Sequence, residues 1–188
     1  MKNFNAFGIV ESEWYSHRPM LFMALESTNG LVVEMGMGNG STQLIREYCA
    51  EKRRFKSYET NNDWFINIGN NMKDTPLYSY ASFHLVENYS NIAETGIDLL
   101  FIDSAPGEQR KELIEKFASH TNIIVVHDTE PGAEYVYGMN DILSTFKHRC
   151  DLVWTNGKGY PQTTAVSNTF DFTGWKQIKT EEFIFIYK

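Results

Sequence analysis

The chain has 188 residues and a net charge of −7, with 42% hydrophobic and 14% aromatic residues. That is enough for one α/β domain with a sizeable core, too apolar for a disordered chain, and too acidic for nucleic-acid phosphates to be the main partner. Two cysteines, Cys49 and Cys150, are too few for a disulfide framework or a thiolate metal site and fit a reducing compartment. No apolar run approaches membrane-spanning length, and residues 1–5 lack the apolar core of a signal peptide. The expectation is a cytoplasmic protein with no membrane attachment.

No repeat or linker interrupts the chain, so residues 1–188 read as a single domain. A helix is predicted over 17–27, with Pro19 in its first turn. Asn29-Gly30 then turns the chain into an apolar strand that ends in Glu34. Gly36, Gly38 and Gly40 alternate before a helix over 42–51, whose Leu44, Ile45 and Tyr48 share a face. A second strand is expected over 55–59 and a helix over 63–72, with Trp64, Phe65 and Ile68 inward. The third strand covers 82–86. The fourth, 98–103, is nearly all apolar and so is buried on both faces. A helix over 109–118 buries Leu113, Ile114 and Phe117 and leaves Arg110 and Lys111 on a solvated face. The fifth strand, 122–127, leads to a helix over 134–146. The runs 152–155, 163–167 and 183–187 compete for a closing antiparallel pair.

This alternation predicts an α/β fold: a doubly wound, mostly parallel seven-stranded sheet with helices on both faces. Ligands of such sheets bind outside the carboxyl ends of the strands, where strand order reverses. Those ends read Glu34, Glu59, Glu87-Asn88-Tyr89, Asp103 and His127-Asp128. Each is acidic or polar.

The spacing Glu34-x-Gly36-x-Gly38-x-Gly40 resembles motif I of the class I S-adenosylmethionine (SAM) methyltransferases. The nicotinamide-dinucleotide fingerprint would need Gly or Ala at the sixth position, where Ser41 stands. A carboxylate at Glu34 suits the sulfonium and ammonium of SAM better than a pyrophosphate. Glu59 ends the next strand and can accept both ribose hydroxyls. The resemblance implies a Rossmann-like methyltransferase fold and a cofactor site made of Glu34, Gly36, Gly38, Gly40, Glu59, Asn88 and Asp103. In it Asn88 faces the adenine amino group, unless it is a simple turn residue. Asp103 matches motif IV, beside the transferred methyl; its alternative is a helix N-cap.

The stretch Asp103-Ser104-Ala105-Pro106, followed by Val125-Val126-His127-Asp128-Thr129, is similar to small O-methyltransferases. More loosely it is similar to plant glucuronoxylan O-methyltransferase-like proteins. The implied activity is methyl transfer from SAM to an oxygen of a small molecule or glycan. His127, Asp128 and Asp103 are the catalytic candidates, with the imidazole suited to accept the acceptor's proton. Asp103 and Asp128 could instead hold a divalent, magnesium-type metal, as in catechol-type enzymes. There Thr129 or His127 stands where an amide ligand is expected. Tyr15-Ser16-His17-Arg18 could fold over the cofactor, and residues 156–161 could form an acceptor lid. A homodimer is compatible with this reading. Other readings are a different SAM-using transferase on the same fold and a catalytically silent SAM-fold binding or partner module.

Overall fold

The computed structural model describes residues 15–72, 79–154, 161–175 and 183–188. Its elements in chain order are α1 (Arg18–Ser27), β1 (Leu31–Met35), α2 (Thr42–Cys49), β2 (Phe55–Glu59), α3 (Asn62–Asn71), β3 (Ala81–Leu85) and β4 (Ile97–Ile102). They continue with α4 (Gln109–Phe117), β5 (Thr121–His127), α5 (Pro131–Tyr137), α6 (Asn140–Leu143), β6 (His148–Trp154), β7 (Pro161–Ser167) and β8 (Phe183–Tyr187). The strands form one sheet in the order β3-β2-β1-β4-β5-β7-β6-β8. The first five are parallel; β7, β6 and β8 join by antiparallel pairing. The sheet therefore has eight strands rather than the expected seven. The three C-terminal runs do not compete, because β6 has two edges and pairs with both β7 and β8.

Alternation along the strands divides the core. Val32, Leu99, Phe101, Ile123 and Val125 face one layer with α1 and α2. Val33, Met35, Leu100, Ile102, Ile124 and Val126 face the other, against Leu113, Ile114 and Phe117 of α4. Helix α1 is buried from Pro19 to Leu25. Its far side is closed by the C-terminal segment, where Trp175 Nε1 donates to Ser27 Oγ at 3.2 Å.

Two other expectations are corrected. The helix over 134–146 is two short helices, because Gly138 takes a left-handed conformation (φ 61°) that ends α5. Trp64 does not point inward: it is 39% exposed and spends its indole N–H on the carbonyl of Met37, at 2.6 Å. Among the described residues, no helix is long and apolar enough to cross a membrane. Strand order reverses between β1 and β4, and the loop after β1 sits at that crevice.

Candidate active site

The glycine loop is built by the backbone. Gly36 has φ 93°, and a Cβ there would lie 2.2 Å from the carbonyl oxygen of Asp103, so only glycine fits beneath the end of β4. Gly38 differs. A Cβ on it would meet a single described atom within 4 Å, Ser41 Oγ at 3.1 Å, so one side of this residue is open space. Gly40 is closed by the N-terminal segment, since its Cβ would strike the Tyr15 ring at 2.4 Å. Arg18 Nε donates to the Gly40 carbonyl at 2.7 Å, and its guanidinium lies over the Tyr15 ring. Residues 15–18 thus fold onto the loop, in the region the sequence pointed to. The lid suggested for 156–161 lies mostly outside the described residues.

Two acids fix this loop. Glu59 is buried; its Oε2 accepts the Met37 N–H at 3.0 Å and its Oε1 accepts those of Thr60 and Asn61 at 2.8 and 2.9 Å. Glu34 is fully enclosed, and its Oε2 accepts hydroxyl protons from Thr42 and Ser57. Burial pushes the Glu34 carboxyl up to about 8, against the opposing pull of these hydroxyls. Burial thus favours the neutral form, and the described partners of Glu34 lie under the loop, which argues against the expected charged carboxylate facing a cofactor cation.

After β3, Asn88 is exposed, and its Oδ1 caps the following 3-10 turn by accepting Ser90 N–H at 2.8 Å. Its neighbour Tyr89, named in the sequence only as part of that strand end, is fully buried with its hydroxyl 3.5 Å from Glu59 Oε1.

The ends of β4 and β5 carry a side-chain cluster. Arg110, expected on a solvated face, is buried there (5% exposed). Its Nη2 donates to Asp103 Oδ1 at 3.0 Å and its Nη1 to Asp128 Oδ2 at 2.9 Å. It also donates to the carbonyls of Ser104 and His127, and the Tyr137 ring covers it. Periodicity could not show this, because Arg110 is drawn inward by acids on two separate strands. The usable signal was two strand-end acids with no cation between them, one turn from a helix start. Asp103 is not an N-cap: Glu108 occupies that position without a side-chain cap bond.

His127 joins the same cluster. Its Nδ1 lies 3.3 Å from Asp103 Oδ1 and 3.4 Å from Asp128 Oδ1, and its Nε2 lies 3.0 Å from Ser16 Oγ. Burial would lower its pKa, but the two carboxylates outweigh burial and raise it. Burial likewise opposes the charge on Asp103, yet His127 and Arg110 hold that carboxyl down at about 2. Asp128 takes a left-handed conformation (φ 55°), unusual for a non-glycine residue and the kind of strain found at functional sites. His17, read from the sequence only as part of the 15–18 segment, packs edge-on to His127 at 4.7 Å and is buried.

The Asp103–Asp128 pair does not fit a magnesium-type ion. The guanidinium of Arg110 already bridges the two carboxylates. Of the two stand-ins for a third ligand, Thr129 is buried and bonded to Thr164 Oγ1 at 2.9 Å, while His127 faces both acids at 3.3 and 3.4 Å but offers a nitrogen, which magnesium does not favour.

Neither a family model nor a curated protein sequence matches the chain. Solved structures do. An O-methyltransferase of Streptomyces achromogenes involved in tomaymycin synthesis, in complex with SAM, matches with TM-score 0.64 at 15% identity, over 89% of this chain and 94% of that one. An O-methyltransferase from Bacillus cereus in complex with S-adenosylhomocysteine matches with TM-score 0.61 at 13% identity, over 87% and 86%. A SAM-dependent O-methyltransferase from Thermotoga maritima gives 0.65 at 11% identity, over 86% and 67%. The fold is the one these methyltransferases share.

Proposed function

We propose that this protein is a SAM-dependent methyltransferase acting on an oxygen of a small molecule or glycan, and that the chain works as one cytoplasmic domain. The observation that carries the reading is the open side of Gly38 beside the Glu59 carboxylate. A Cβ at Gly38 would fill that space, and Glu59 Oε2 spends one lone pair on Met37 N–H and keeps acceptor capacity for a ribose hydroxyl. In this reading Gly36 and Gly40 shape the loop, Glu34 braces it from below, and Asn88 lies toward the adenine. The net charge of −7 disfavours a nucleic-acid acceptor.

When bound, SAM supplies a methyl already activated by its sulfonium. The chain must then align the acceptor and take its proton. His127 is placed for the second task. Asp103 and Asp128 hold the proton on Nδ1, which leaves Nε2 to accept from Ser16 Oγ and, through that hydroxyl, from an acceptor. Because the carboxylates raise the His127 pKa, the base form appears above the usual histidine range, and the rate should rise with pH through that raised value. Arg110 holds the two aspartates apart and oriented, so no metal is needed between them.

Calorimetry and thermal shift with SAM, decarboxylated SAM, S-adenosylhomocysteine and NAD test the cofactor. SAM and S-adenosylhomocysteine should stabilise the wild type. Gly38→Val should remain folded and bind SAM about 100-fold more weakly or worse, since a branched side chain occupies the cradle. Stabilisation by NAD without SAM would overturn the reading. SAM binding with no methyl delivered to any hydroxyl-bearing acceptor would make the protein a silent binding module.

A further inference from the structure

His17 poses a chemical question that methyl transfer does not answer. It is 3% exposed, and neither ring nitrogen has a hydrogen-bond partner. The Gly40 carbonyl favours a proton on the ring without making a bond of ordinary geometry. A buried imidazole with both nitrogens unspent is rare, and such groups point to an absent ligand, water or ion. One His17 nitrogen, one Asp103 oxygen and one His127 nitrogen lie within 4.8 Å of one another.

The geometry points to a transition-metal site formed by His17, Asp103 and His127, which takes a first-row divalent ion such as Zn²⁺ and discriminates against Mg²⁺. Two imidazoles and one carboxylate form a donor set that suits zinc or iron and leaves coordination positions open. Magnesium prefers oxygen ligands and would find one here. Zinc–nitrogen bonds near 2.0–2.1 Å put tetrahedral ligand atoms about 3.3 Å apart. The His127 Nδ1–Asp103 Oδ1 pair already has that separation, 3.3 Å. His17 has only to close from within 4.8 Å, by a ring movement into a space its own nitrogens leave unbonded.

The surroundings support the assignment. Metal-binding histidines commonly donate their second ring N–H to an oxygen that fixes the ring. His127 has that partner in Ser16 Oγ, 3.0 Å from Nε2; an ion on Nδ1 replaces the proton there and makes Nε2 the donor to Ser16, so the metal-bound state is one in which His127 is not the base. Ser16 is in turn fixed by Trp154, whose Nε1 donates to the Ser16 carbonyl at 3.1 Å. Arg110 is shared between Asp128 at 2.9 Å and Asp103 Oδ1 at 3.0 Å, so the ion competes with one guanidinium contact at Asp103, and Arg18 is a second cation near His17. This site differs from the Asp103–Asp128 pair: it uses an N-terminal histidine and leaves Asp128 with Arg110. The proposal does not rest on SAM chemistry, because its tests contain no cofactor and no acceptor.

Chelator-treated protein is titrated with Co²⁺, followed by visible absorption, and with Zn²⁺ and Mg²⁺ by calorimetry. The expected result is one equivalent of Co²⁺ with ligand-field bands, competed away by Zn²⁺ and not by Mg²⁺. His17→Gln and Asp103→Asn should each weaken binding by about 100-fold or more, while Asp128→Asn should retain it. Imidazole proton resonances of the wild type give a reading that needs no variant. Of the five histidines, those of His17 and His127 should move with Zn²⁺. Undiminished affinity in folded His17→Gln, or Zn²⁺ shifts confined to His84, His120 or His148, would overturn the site. So would one-equivalent binding that Asp128→Asn abolishes and His17→Gln does not.

Discussion

The two halves of the crevice are made of different materials. At the β1–β2 end the working surface is main chain, braced from below by two carboxyls that residues of the same two strand-loop-helix units satisfy: Glu34 by Thr42 and Ser57, Glu59 by Met37, Thr60 and Asn61. At the β4–β5 end it is side chains, drawn from residues 16, 17, 103, 110, 127 and 128, whose charges compensate one another across elements. A backbone site depends on local shape and a few glycines. A side-chain site depends on a balance of charge, so a change at one residue spreads to the others.

The comparison breaks most sharply at Gly36. Replacement by valine should cost about 3 kcal/mol or more, from overpacking against Asp103 and a strained positive φ. Thermal unfolding should show a chain that is mostly unfolded or strongly destabilised. A melting temperature close to wild type would mean the loop is not held as described.

Next in size is the charge balance. Arg110→Gln leaves Asp103 and Asp128 facing each other without their shared cation. Both carboxylates are partly exposed, 24% and 33%, so solvent relieves some of the cost and about 1–3 kcal/mol of stability should be lost. If Asp128→Asn in the Arg110→Gln background restored none of it in denaturant titrations, the bridge would not be the source. Glu59→Ala should weaken SAM binding by about 1–3 kcal/mol in calorimetry, from loss of a charge-assisted acceptor. Unchanged affinity would remove Glu59 from the cofactor site.

The smallest effects separate the halves by pH. Glu34 is raised from 4.5 to about 8, so its contribution is full below pH 4.5 and is lost as pH climbs through 8. His17 is lowered from 6.5 to about 3, chiefly by burial and then by His127. The unfolded chain therefore binds the extra proton between those values, and stability falls as pH drops from 6.5 toward 3. Glu34→Gln should flatten the alkaline limb of stability against pH, and His17→Leu the acid limb. Denaturant midpoints across pH 4–9 check both. Coincident profiles for either variant and wild type would contradict that residue's buried state.

The same contrast explains what the sequence disclosed. Strands β1 to β5 lie within a residue of expectation, because each is an apolar run closed by a polar end. The glycine loop was legible because its requirements are local: spacing, a strand before and a helix after. The side-chain cluster was only half legible. Asp103, His127 and Asp128 stand at strand ends and announce themselves. Arg110 was placed on a solvated face, and Ser16 and His17 were read only as part of a segment that could cover the cofactor, since their partners lie 17 to 111 residues away along the chain. Trp64 and the second half of the 134–146 helix failed for local reasons, an unforeseen acceptor at Met37 and the left-handed turn at Gly138.

One peptide unit ties the surface to the interior. The Met37 carbonyl accepts the Trp64 indole N–H, while the Gly38 N–H of the same unit donates to Thr42 Oγ1, which donates to Glu34. Any rotation of that peptide plane strains both ends together. Because Trp64 is the exposed end, its indole is a surface handle on a loop whose anchor is a buried acid.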